Sequence, residues 1–235
     1  MNKWLGESKG LIGALCFAGL VSAGQPASAA VISWTDWTSA TVGYPGSALG
    51  TITLPGGGTV NVSYTGEVAG PTQTAGGINY WVPAAPYLSA TISNAPPDPD
   101  IITLDLGGIL NTLTFSVPLI DPVMALVSLG RPNGYFISYA FNAPFDVLSS
   151  GTGFWGGLPG GLVELPGNVL QGEEGHGAIQ FLGTYSSISW TTTPNEFWHG
   201  FQVGTAEAVP EPGTLLLLGS GLAGMALRRR RRKNS

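Results

Sequence analysis

Glycine and proline decide what this chain can fold into. The 235 residues include 36 Gly and 18 Pro, and between residues 43 and 209 no stretch free of both exceeds ten residues. In a helix interior Gly costs about 1 kcal/mol relative to Ala and Pro about 3, so helices of ordinary length hardly fit. Strands fit throughout. Val60-Asn-Val-Ser-Tyr64 alternates apolar and polar residues with period two. Residues 100–106, 112–117, 123–129, 135–141, 178–182, 187–190 and 197–203 are further short runs rich in β-branched and aromatic residues. Between them recur turn signals, among them Pro132-Asn-Gly134 and Gly156-Gly-Leu-Pro-Gly-Gly161. Many short strands at roughly even spacing predict an all-β fold, an antiparallel β-sandwich of jelly-roll-like type. Disorder is excluded for most of this region, because its signature is low hydrophobicity with few aromatics. Six tryptophans stand here: Trp34, Trp37, Trp81, Trp155, Trp190 and Trp198.

Charge divides the chain into three parts. Of nine basic residues, only Arg131 lies between residues 30 and 208, against twelve acids there, a net charge near −11 compared with −5 for the whole chain. Such a surface repels phosphates, which excludes nucleic acid as a partner. The remaining basic residues sit at the two ends. Lys3 and Lys9 precede the apolar stretch 11–21, and Ala27-Ser28-Ala29 follows as a small-residue cleavage site. This order predicts a signal peptide over 1–29, cut after Ala29 or Ala30. The only cysteine, Cys16, leaves with it, so the exported part has neither a disulfide nor a thiolate ligand.

At the other end, residues 209–235 read Val209-Pro210-Glu211-Pro212, an uncharged run of fourteen residues from Thr214 to Leu227, then Arg228, Arg229, Arg230, Arg231, Arg232 and Lys233. As a helix the run would be about 21 Å long, a short span of a hydrocarbon core about 30 Å thick. The six cations resist translocation and stay on the cytoplasmic side of the inner membrane. The two prolines keep the chain around Glu211 extended, the form in which proteases take their substrates.

A signal peptide, a Pro-Glu-Pro motif, a short hydrophobic helix and an arginine cluster, in that order, resemble the PEP-CTERM family of exported bacterial proteins. The resemblance implies recognition of Val209 to Pro212 by an exosortase, a transient stay in the inner membrane, and release or transfer toward the outer surface. It also implies a Gram-negative source, often one that makes exopolysaccharide. Phe145-Asp-Val-Leu-Ser149, Gly153-Phe-Trp-Gly-Gly157, Glu174-Gly-His-Gly177 and Ser187-Ile-Ser-Trp190 are similar to passengers of other members, which implies an exported β-domain over 30–208.

Within that domain the signs of catalysis are thin. His176 lies in a polar, glycine-rich stretch expected to be a turn, and His199 in an aromatic strand. Neither has the spacing of a zinc protease, and no Gly-x-Ser-x-Gly elbow is present. Gly151-Thr-Gly-Phe-Trp-Gly156 matches a dinucleotide fingerprint, but residues 157–161 cannot start the helix that such a site needs. Glu173, Glu174 and His176 could hold a cation, and Asp98, Asp100 and Asp105 form a second acidic cluster with oxygen ligands of the type calcium takes. Their spacing is not that of an EF-hand, and solvated acidic loops are the default, so no metal or other cofactor is expected. Paired carboxylates for glycoside hydrolysis are allowed by twelve acids and not singled out by them. Trp155, between glycines in an expected loop, is the best candidate for an exposed platform on which a sugar ring stacks. The expectation is a non-enzymatic surface or matrix protein, structural or adhesive within extracellular polysaccharide. A carbohydrate-binding module is the alternative, and a secreted hydrolase a third reading.

Overall fold

The computed structural model describes residues 29–97 and 99–206. Fourteen strands account for most of them: β1 (Ile32–Trp34), β2 (Asp36–Thr41), β3 (Gly43–Thr53), β4 (Thr59–Val68), β5 (Ile102–Leu104), β6 (Leu110–Ile120), β7 (Val123–Leu129), β8 (Ile137–Phe141), β9 (Phe145–Gly151), β10 (Leu162–Leu165), β11 (Val169–Gly172), β12 (Gly175–Phe181), β13 (Thr184–Thr193) and β14 (His199–Ala206). The one helical element among the described residues is a single 3-10 turn, Ala85–Tyr87. No helix among the described residues is long and apolar enough to cross a membrane.

All strand ladders are antiparallel and form two sheets. One runs β1-β14-β7-β12-β9 with β5 also paired to β14, and the other β10-β11-β8-β13-β6-β4-β3-β2. Side chains alternate across a strand, and the alternation delivers one face of each sheet to a shared core. In β4, Val60, Val62 and Tyr64 point inward; in β13, Ile188 and Trp190 do. They meet Met124, Leu126, Phe201 and Val203 from the opposite sheet. Aromatic rings dominate the contact. Trp190 stands edge-on to Phe201 at 5.2 Å between centroids and stacks on Tyr64 at 6.0 Å, spacings at which such pairs attract.

The six-stranded sheet has a second buried face. The segment between β4 and β5 folds back over it and covers it with Tyr80, Trp81, Tyr87, Ile92 and Ile101. Val123, Ala125 and Val127 of β7 point into this outer cluster while Met124 and Leu126 point into the inter-sheet core. Coverage on both sides explains why residues 123–127 are apolar at every position instead of alternating.

The sandwich architecture expected from sequence is thus present, with differences of detail. The N-terminal strands β1 to β3 and the strands β9 to β11 were not among those read from sequence, because Pro45, Gly46 and Gly50 interrupt β3 and because β10 and β11 have four residues each. The stretch at 174–177, expected as a turn, carries His176 inside β12 with its ring fully buried. The signal peptide up to Ser28 and the whole sorting tail, including Val209 to Pro212, the 214–227 run and Arg228 to Lys233, lie outside the described residues. Ala29 and Ala30 are described, and backbone pairing begins at Ala30, which bridges Ile92.

A buried polar clamp ties β4 to β6. Asn111 Oδ1 accepts hydrogen bonds from the Tyr64 hydroxyl (2.6 Å) and the Glu67 amide (2.9 Å). Glu67 in turn accepts from the amides of Asp105 (2.7 Å) and Leu106. Replacing Asn111 by Ala strands the buried Glu67 amide, at about 1–3 kcal/mol, and leaves the Tyr64 hydroxyl with the Glu67 carbonyl at 2.9 Å as its acceptor. Urea unfolding of Asn111→Ala is expected to show a loss of roughly 1–3 kcal/mol, which Tyr64→Phe does not restore in the double variant.

Candidate functional site

The candidate site is built on an irregularity in β7. Between the pairs Gly177↔Leu126 and Gly175↔Leu129, β7 supplies two residues, Val127 and Ser128, opposite one, His176. This is a β-bulge, a device that re-aims a side chain. Ser128 takes a left-handed φ of 57° and Leu129 returns to the inter-sheet core. The Ser128 hydroxyl, which a regular strand would aim at that core, instead lines a cavity of about 500 Å³.

Three segments meet there. The Ser128 hydroxyl donates to Glu174 Oε1 at 2.5 Å. The Ser128 amide reaches His176 Nδ1 at 3.3 Å, which makes Nδ1 the acceptor and leaves Nε2 to donate to the same Glu174 oxygen at 3.2 Å. Glu174 also has a left-handed backbone, φ 47°. Beside it, Glu196 Oε2 accepts from the Gly130 amide at 2.6 Å. The other oxygen, Oε1, has no hydrogen-bond partner although Glu196 is only 3% exposed. Arg131 comes closest, its Nε 3.9 Å away and its guanidinium stacked over the Tyr135 ring at 3.7 Å.

Aromatic rings form the walls. The amide and carbonyl of Gly153 exchange hydrogen bonds with those of Gly156, at 2.7 and 3.2 Å, so Phe154 and Trp155 occupy the tip of a pinched turn. The turn lies so close to His176 that a Cβ on Gly153 would stand 2.3 Å from the imidazole. On Gly157, with φ +80°, it would stand 2.3 Å from the Glu174 carbonyl. These contacts, not phosphate binding, account for the glycines around Trp155. Trp155 is 55% exposed and packs at 6.4 Å from Tyr80 and 6.2 Å from Trp198. Phe197 completes the rim, 81% exposed.

Trp155, singled out in the sequence, therefore lies on the cavity. Trp198 joins it there, while Trp37, Trp81 and Trp190 are core residues. Glu174 and His176 meet, but Glu173 turns away to accept from the Gly134 amide. Asp100 accepts from the Trp37 amide and Asp105 from the Tyr44 hydroxyl, so these two serve separate structural contacts; Asp98 lies outside the described residues. Among the described residues no three His, Cys, Asp or Glu side chains are grouped to hold a metal. Ser128, Glu196 and Tyr80 were not foreseen. The only trace of Ser128 is a lone hydroxyl within an apolar run.

Burial pushes the Glu196 carboxyl up to about 7, against the pull of the Gly130 amide and Arg131 and with the help of Glu174. Burial also pushes His199, 3.8 Å from Glu196, down to about 3. Near pH 6 the two are thus neutral neighbours and not an ion pair. A carboxyl raised above its ordinary 4.5 adds stability that is present below 4.5 and lost as pH rises through 7. His199 acts oppositely, its contribution lost as pH falls below 6.5 toward 3. The difference between Glu196→Gln and the parent isolates the first effect. Thermal and urea unfolding across pH 4–8 are expected to show the variant gaining relative stability between 4.5 and 7, by up to roughly 3 kcal/mol, then levelling off. A difference that does not vary with pH would overturn the assignment.

Beyond the sandwich, residues 208–232 match the PEP-CTERM protein-sorting motif. No curated protein and no solved structure matches the chain. The motif begins two residues after Ala206, where β14 ends, and marks the chain for export and exosortase processing toward the cell surface.

Proposed function

We propose that this chain is a non-enzymatic surface protein whose jelly-roll-like sandwich binds extracellular polysaccharide and so acts adhesively in the matrix of a biofilm. The observation that carries the reading is Trp155, an indole more than half exposed at the tip of a pinned turn, over a cavity with Tyr80 and Trp198 in its walls and two glutamates in its lining. A sugar ring offers apolar C–H faces for indole stacking and hydroxyls for carboxylate acceptors. Cavities of this size, mostly aromatic with a few convergent polar groups, are the usual form of small-ligand sites. The turn costs the ligand little ordering, since Gly153 and Gly156 already fix it.

The sorting tail limits how far the domain stands from the membrane. With the 214–227 run in the inner membrane, seven residues separate Ala206 from Thr214, a reach of at most about 30 Å. The domain is held against the outer side of that membrane until an exosortase releases it near Val209 to Pro212, with the signal peptide already removed at Ala29 or Ala30.

Two measurements test these statements. On a glycan array the exported protein is expected to retain a defined set of polysaccharides, with binding reduced roughly five- to thirty-fold by Trp155→Ala and partly kept by Trp155→Phe, as expected for a stacking contribution of about 1–2 kcal/mol. Turnover of a bound polysaccharide, abolished by Glu174→Gln or Glu196→Gln, would replace adhesion with hydrolysis. Intact-mass analysis of the extracellular form is expected to show loss of residues 1–29 or 1–30 and of everything beyond the Pro-Glu-Pro motif. An extracellular form that retains Arg228 to Lys233 would overturn the processing scheme.

A further inference from the structure

We propose that the pocket selects a cationic saccharide, an amine-bearing sugar unit whose positive group lies against the indole faces and next to Glu174 and Glu196. This deepens the glycan-binding reading of the same pocket and rests on it. A neutral sugar would be served by aromatic walls with amide or hydroxyl partners. Here the acidic and basic side chains of the lining are two glutamates and one arginine, beside the Tyr80 phenol, and the guanidinium is drawn aside over Tyr135.

The second and independent observation is Glu196 Oε1. Glu196 is among the residues lining the cavity, and its Oε1 is buried without a hydrogen-bond donor. Leaving a buried acceptor unpaired costs about 1–3 kcal/mol, more when it is charged. Arg131, the only Lys or Arg among the described residues, approaches this oxygen but stops 3.9 Å away, too far for a hydrogen bond. An ammonium entering over Trp155 would complete what Arg131 leaves unfinished. It would gain a charge-assisted hydrogen bond and the attraction of a cation for the face of an indole. The rest of the domain favours the same ligand, because a net charge near −11 over residues 30–208 draws a polycation toward its surface.

Protons give the proposal a signature. The groups facing Glu196 are the Gly130 amide, Arg131, Glu174, His199 and Tyr139. Because burial holds Glu196 near 7, about half of it is protonated at pH 7. A bound cation favours the carboxylate, so binding expels about half a proton. A neutral ligand expels none.

The test is calorimetric titration of the exported protein at pH 7, in two buffers of different ionisation enthalpy, with three probes: an oligomer of glucosamine, the same oligomer N-acetylated, and a neutral oligoglucose. Tetramethylammonium serves as a saccharide-free cation. The expected result is binding of the glucosamine oligomer about ten-fold or more tighter than its N-acetylated form, a preference that shrinks with added salt, and a proton release greater by about half a proton in the parent than in Glu196→Gln, a difference in which any uptake by the amine cancels. Trp155→Ala, on the exposed tip, is expected to weaken the same probe and keeps the test open if a glutamate variant misfolds. Equal binding of all three oligomers without proton release would overturn amine selection and leave glycan binding intact. Binding of tetramethylammonium with no oligomer held would overturn the saccharide. Binding of none of the four, together with an empty glycan array, would remove both readings.

Discussion

The imidazole of His176 is the contact on which the site depends. It lies opposite the two residues of the β7 bulge, accepts from the Ser128 amide, donates to Glu174, and supports the turn that carries Trp155 through the close approach of Gly153. Residues 128, 153 and 174 come from separate strands and loops, and one buried ring fixes their mutual positions. A ring can do this only where water is absent, since a solvated imidazole would exchange both partners for water at little cost. Water is kept out by the folded-back segment between β4 and β5, which lays Tyr80, Trp81 and Tyr87 over the outer face of the six-stranded sheet. The outer cluster is therefore the foundation of the site as well as a second core.

This dependence also explains what the sequence discloses. The β class is legible because it is set by local physics: frequent Gly and Pro forbid helices, and period-two alternation marks strands such as β4 wherever one face meets the core and the other meets water. Residues 123–129 are recognisable as a strand, but the reason for their unbroken apolarity is the segment folded over them, contributed by residues far away in the chain. Trp155 is legible for a similar local reason, as a large ring between glycines cannot be packed by its neighbours. Glu174 and His176 carry no such mark. Flanked by Gly172, Gly175 and Gly177 they read as a polar turn, whereas those glycines let other chains approach β12; a Cβ on Gly177 would stand 2.1 Å from the Ser149 carbonyl oxygen. Glu196 reaches the site across 66 residues to the Gly130 amide, a pairing that no local pattern encodes.

Sorting and the proposed binding are written in different parts of the chain and in different physics. The tail needs only order, hydropathy and charge, so its 25 matched residues are recognisable without any fold. The pocket needs a bulge, a buried ring and a covered sheet, none of which has a linear signature. The separation has a consequence for the passenger. The sorting residues begin two positions beyond the last strand, so removing them takes no strand from either sheet and leaves the pocket residues, the last of which is Trp198, untouched.

Some of the features that lower stability lie at the pocket. Among the described residues five that are not glycine have left-handed backbones; Asn133 and Asn168 are asparagines in turns, and Asp121 joins β6 to β7. The remaining two, Ser128 and Glu174, are joined to each other by a hydrogen bond in the cavity lining. Glu196, which accepts from the Gly130 amide, has its Oε1 buried without a partner, as are both nitrogens of neighbouring His199. Each such feature costs on the order of 1–3 kcal/mol, a large share of the 5–15 kcal/mol by which a domain is stable. Regular pairing of β7 with β12 and an apolar residue at 196 would avoid that cost and still close the sandwich. The sandwich alone does not require Ser128, Glu174 and Glu196 to stand where they do. The proposed ligand, by pairing with Glu196 Oε1, would account for that placement.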